Sequence, residues 1–85
     1  MTAAESDAVV SIVRRHLPGL PSGAPLPADR PLTELGLTSL RAVDLLLDLE
    51  DCFQVVFPDE FLDVDTLRTL GALTAALDQH LAAVR

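Results

Sequence analysis

Apolar positions three and four residues apart organise most of this chain. Val9, Ile12, Val13 and Leu17 form one stripe near the N-terminus, and Leu70, Leu73, Leu77 and Leu81 form another near the C-terminus. Each stripe has the period of a helix with one buried face. Between them lies the most apolar segment, predicted as a helix over about Thr38 to Phe53, with Leu45, Leu46, Leu49 and Phe53 facing the core. On the same segment Leu40, Val43 and Leu47 fall on a neighbouring stripe interleaved with Asp44, Asp48 and Asp51. A helix in a small bundle needs only one buried face, so this second stripe is expected to be an exposed apolar strip bordered by acids. The alternative is that Leu40 and Val43 complete the core beneath a loop.

The punctuation agrees with these helices. Thr2-Ala3-Ala4-Glu5 has the form of a capping box, with Ser6 and Asp7 as alternative caps, and Pro18-Gly19 ends the first helix. Arg14, Arg15 and His16 fall in its last turn, where cations suit the helix dipole, and His16, standing alone, reads as a helix-end residue. From Pro18 to Pro31 come five of the six prolines and two of the four glycines, which oppose regular structure. This stretch is predicted as a long crossover pinned to the core by Leu20, Leu26 and Leu32. Gln54 to Phe57 could read as a strand, but nothing offers it a partner, so it is predicted as a loop. Pro58 with Asp59 and Glu60 opens a short helix of one or two turns through Phe61 and Leu62, and Thr69 caps the last helix, which runs to about Ala83. The expected fold is an all-α single domain over residues 1–85: a small bundle of three principal helices plus one short helix, with a long loop between the first and second.

Composition narrows the function. A chain of 85 residues supports one core but no deep catalytic cavity of its own. No apolar run is long enough for a bilayer, and Met1 to Glu5 lacks the form of a signal peptide, so a cytoplasmic protein with no membrane association is expected. The lone Cys52 cannot form an internal disulfide, and its place beside Phe53 suggests a half-buried thiol in a reducing compartment. The net charge of −7 argues against nucleic acid as a partner. Eight acids and no base lie between Asp44 and Asp65. Such a run is ordinarily a solvated face, yet it would also steer basic protein surfaces toward this region. Reversing Asp44, Glu50 or Asp51 to Lys is therefore expected to cost little in folding.

Ser39 falls in the first turn of the central helix, where free N–H groups and the positive dipole end favour a phosphate ester. A serine in this position is most often only a cap. Its surroundings are more specific: Leu35-Gly36-x-x-Ser39-Leu40-x-x-Val43-Asp44-Leu45, then Leu49-Glu50, Phe53 and Pro58-Asp59-Glu60. From about Pro31 to the C-terminus this pattern resembles the acyl carrier protein family, which carries phosphopantetheine on the serine of an Asp-Ser-Leu motif. It departs at Thr38, where the family usually has aspartate, and this bears on which transferase modifies the chain.

The resemblance implies a monomeric, non-catalytic carrier. A phosphopantetheinyl transferase using Mg²⁺ would modify Ser39, and an acyl- or aminoacyl-loading enzyme and a downstream acyltransferase or synthase would be partners. By the same resemblance Leu40, Val43, Asp44, Leu47, Glu50 and Asp51 recognise partners, while Phe61 and Leu62 form the other wall of any groove that shelters the cargo. The Pro31–Leu45 segment looks like carriers of polyketide and mixed polyketide–peptide pathways. The absence of lysine suggests a gene of high G+C content. Other classes fit poorly. A serine hydrolase needs a base and the Gly-x-Ser-x-Gly turn, which Gly36-x-x-Ser39 is not. A Ca²⁺ loop built on Asp59 to Asp65 lacks the central glycine and final glutamate, so no metal is expected. The runner-up is an unmodified interaction module that uses the acidic strip alone.

Overall fold

A computed structural model describes residues 2–21, 23–63 and 65–84; of Glu60 it describes the backbone only. The protein is all-α. Helix α1 spans Ala3–Arg15, α2 spans Ser39–Phe53 and α3 spans Leu70–Val84, with 3₁₀ turns at Leu32–Leu35 and Asp59–Leu62. The segment expected to be a short helix is thus a single 3₁₀ turn. The other 3₁₀ turn, inside the crossover, was not legible in the apolar spacing.

The capping box closes α1 as read: Thr2 Oγ1 accepts from the Glu5 amide at 3.2 Å, and Glu5 Oε1 accepts from the Thr2 amide at 3.0 Å. Val9, Ile12, Val13 and Leu17 are all buried, as are Leu45, Leu46 and Leu49 of α2 and Leu70, Leu73, Leu77 and Leu81 of α3. Phe53 is half-buried against this core. Burying one such aliphatic side chain contributes roughly 1.5–3 kcal/mol, so the stripes dominate the folding energy.

The crossover adds to the same core. Leu32, Leu35 and Leu37 are buried, and Leu20 and Leu26 pack half-buried against it. Five hydrogen bonds lace its backbone down. The Arg14 guanidinium donates to the carbonyls of Ala24 and Pro21, and the Gly71 amide donates to Ala28 O at 2.8 Å. The Leu32 amide donates to Arg68 O at 2.8 Å, and the Gly19 amide to Leu35 O at 2.9 Å. These bonds satisfy backbone groups of a proline-rich segment, and they fix the approach to α2.

Two expectations need correction. Cys52 is exposed, not half-buried, because one position along the helix turns it away from the face that carries Phe53. His16 does close α1, but it is buried and not solitary: its Nε2–H donates to Asp48 Oδ2 at 2.6 Å, joining the end of α1 to the middle of α2. Thirty-two residues separate the pair, so no local pattern shows it.

Candidate functional site

The turn before α2 is built to end one helix and begin another. Gly36 caps the first 3₁₀ turn at φ 100°, in the left-handed region where a side chain is strained. Space also requires glycine there, since a Cβ would lie 2.9 Å from Pro18 Cγ and 3.0 Å from Gly19 N. Leu37 then turns into the core, and its amide donates to Leu32 O at 3.1 Å. Thr38 follows in extended conformation as the N-cap, with Oγ1 accepting from the Arg41 amide at 3.2 Å and its carbonyl accepting from the Ala42 amide at 2.8 Å.

This geometry leaves Ser39 as the first residue of α2, exposed to solvent. Thr38 is spent on the Arg41 amide, so capping falls to Thr38 and the Ser39 hydroxyl is left over for other chemistry. The first amides of a helix have no acceptor within it, and they favour an anion at this end.

Ser39 also forms part of the rim of a cleft of about 570 Å³. Leu37, Ala42 and Val43 supply its α2 side, Leu62 and Leu67 the facing wall, and Thr33 and Arg68 its polar edge. Among the described residues, Arg68 is its one charged lining residue. Of these, the sequence singled out Val43 and Leu62 as functional but missed Thr33, Leu67 and Arg68. A usable signal was present for Arg68: it is the first base after the long acidic run. Among the described residues, no group of three or more His, Cys, Asp or Glu is placed to hold a metal ion, and no helix is long and apolar enough to cross a membrane.

The sequence matches the family described as "Phosphopantetheine attachment site" over residues 7–77. The chain belongs to this family. It is a carrier domain, of a class generally non-catalytic, and the prosthetic group of its family is covalently bound phosphopantetheine. An exposed serine at a helix start, beside an open cleft, suits such an attachment. Two solved structures share the fold of this carrier domain. One is the Bradyrhizobium japonicum glycine:[carrier protein] ligase complexed with glycylated carrier protein, matched at TM-score 0.69 and 19% identity over 85% of this chain and 96% of that one. The other is an engineered form of the same ligase complexed with carrier protein from Agrobacterium tumefaciens and ATP, at TM-score 0.71 and 23% identity over 88% and 97%.

On this carrier domain the second stripe of α2 faces solvent: Leu40 is 76% exposed, Leu47 55% and Val43 42%. Asp44 and Asp51 are exposed beside it. The reading in which Leu40 and Val43 complete the core is therefore wrong, although Val43 borders the cleft. Asp48, on the same face, is engaged by His16.

Glu50 and Phe61 stand apart from the other residues that the resemblance linked to partners. Glu50 is half-buried, and its Oε2 accepts from the Phe57 amide at 2.6 Å. It therefore fastens the loop after α2, and its reversal cannot be as harmless as the sequence suggested. Phe61 is buried, stacked on Phe57 with ring centroids 4.6 Å apart, and both rings meet His80 edge-on at 5.4 and 5.5 Å. Phe61 is thus a core residue and does not line the cleft, whereas its neighbour Leu62, half exposed, does.

Proposed function

We propose that this carrier domain receives phosphopantetheine on Ser39 Oγ, from coenzyme A, through a Mg²⁺-dependent phosphopantetheinyl transferase. When bound, that group supplies a terminal thiol able to hold a small acyl or aminoacyl unit as a thioester. The observation that carries the reading is the exposed Ser39 hydroxyl at the first position of α2, within the motif Leu35-Gly36-x-x-Ser39-Leu40. The protein's own residues perform no bond chemistry on the cargo. They hold the attachment point rigidly, present Leu40, Val43 and Leu47 beside it, and set Asp44 and Asp51 where they attract basic partner surfaces. Tethering raises the cargo's effective concentration at each partner.

The pathway we infer is bacterial natural-product biosynthesis of the polyketide or mixed polyketide–peptide kind, with a loading enzyme followed by an acyltransferase or synthase. The likeness to carriers solved with a glycine ligase supports an aminoacyl cargo within that range. The competing reading is an interaction module that is never modified, for which the exposed strip alone suffices. Incubation with coenzyme A, Mg²⁺ and a broad-specificity transferase, followed by intact mass, separates the two. A gain of one phosphopantetheine supports the carrier. A folded chain that gains nothing with several transferases supports the unmodified module.

A further inference from the structure

Resting on the carrier reading, we infer that Arg68 holds the phosphodiester of the prosthetic group against the cleft, so that the arm leaves Ser39 along the groove walled by Leu62 and Leu67 instead of straight into solvent. A phosphodiester on Ser39 places a permanent negative charge on the rim of this cleft, in a chain whose net charge is already −7. Asp44 lies exposed farther along α2 and repels it. Among the described residues, the only charge lining the cleft is the Arg68 guanidinium.

That guanidinium is also available. Among the described residues its side chain makes no ion pair or hydrogen bond, whereas Arg30 is paired with Glu34 at 3.3 Å and Arg14 is bound to two loop carbonyls. Its backbone is held in place, because Arg68 O accepts from the Leu32 amide at 2.8 Å just ahead of the Ser39 turn. An arginine presents a planar fork of N–H donors that matches the oxygens of a phosphate, and a fixed backbone reduces what must be ordered on binding. The walls suit the rest of the arm. Leu37, Val43, Leu62 and Leu67 offer apolar contact to its methyl-bearing carbons, and the exposed Thr33 hydroxyl can pair with its first amide. Arg41 is the natural rival, being close to Ser39 in sequence, but it does not line the cleft.

The test uses the chain carrying phosphopantetheine, verified by mass, as wild type, R68Q, R68K and R41Q. The readouts are the ³¹P resonance of the diester and the ¹H–¹⁵N resonances of the cleft. Modification of the wild type is expected to shift the Arg68 Nε–H signal and the Thr33 and Leu67 amides, with the ³¹P shift moving as salt is raised. In R68Q the Thr33 and Leu67 shifts and the salt response should be lost, in R68K partly retained, and in R41Q unchanged. Because the Arg68 side chain is exposed and, among the described residues, makes no hydrogen bond or ion pair, R68Q should melt with the wild type. Cleft signals identical with and without the arm, or a response kept in R68Q or abolished in R41Q, would overturn the inference while leaving the carrier reading intact. A chain that cannot be modified at all overturns both.

Discussion

Leu47 and Leu49 lie on one helix, two residues apart, and are chemically identical, yet Leu49 is fully buried and Leu47 is 55% exposed. Around Leu49 are Leu45 and Leu46, in one core with the buried stripes of α1 and α3; around Leu47 are Leu40, Val43 and the carboxylates of Asp44 and Asp51. Two residues advance a helix by about 200°, so neighbours in sequence become opposite faces. The buried face holds the fold, and the exposed one is surface that stability does not demand. An apolar strip kept in water on an 85-residue domain is better explained by what it meets than by what it stabilises.

The contrast breaks most simply at those two leucines. Leu49→Ala should lose about 2–5 kcal/mol of unfolding free energy, the range for a leucine truncated in a closed core. Leu47→Ala should stay within about 0.5 kcal/mol of the wild type. Urea denaturation followed by circular dichroism checks both, and comparable losses would mean that the strip is covered in the folded chain.

The next effect lies where the buried face runs into the Ser39 turn. Gly36→Ala should destabilise by roughly 1–3 kcal/mol, since the new Cβ meets both a positive φ and the Pro18 ring. Gly23 also has positive φ, at 84°, but nothing lies within 4 Å of a Cβ built there. Gly23→Ala should therefore cost less than Gly36→Ala, and thermal melts of the pair separate strain from collision.

The smallest effects sharpen the polar side of the contrast. Glu50→Ala leaves the Phe57 amide without its acceptor and should cost on the order of 1–2 kcal/mol. Asp44→Lys and Asp51→Lys should change stability by no more than about 0.5 kcal/mol, while slowing loading by a partner enzyme at low salt and less so at high salt. Equal destabilisation by all three would contradict the division of roles among these acids.

The helices and their caps were legible because periodicity and capping are local: Thr2 and Thr69 each cap as read, with Thr69 Oγ1 accepting from the Ala72 amide at 3.1 Å. The leucine anchors of the crossover were legible for a related reason, since a long polar loop needs apolar contacts to stay on a domain. What escaped depends on distance in sequence. The 3₁₀ turn at Leu32–Leu35 is too short to show a period, and it is fixed by the Gly19 amide reaching across to Leu35 O. The burial of Phe61 rests on Phe57 and His80, and the role of Glu50 on a loop that folds back over the helix end. At the candidate site, Ser39 and the α2 strip announced themselves through motif and spacing. The opposite wall, with Thr33, Leu67 and Arg68, is assembled only when three segments meet.

Everything turns on which hydroxyl carries the prosthetic group. Ser39→Ala should fold like the wild type, because its side chain is exposed and Thr38 provides the cap. Both proteins, incubated with coenzyme A and a transferase, would be compared by intact mass and by mapping of the modified peptide. The wild type is expected to gain one phosphopantetheine on the peptide containing Ser39, and Ser39→Ala to gain none. A mass gain that persists in Ser39→Ala would place the attachment elsewhere and contradict the account.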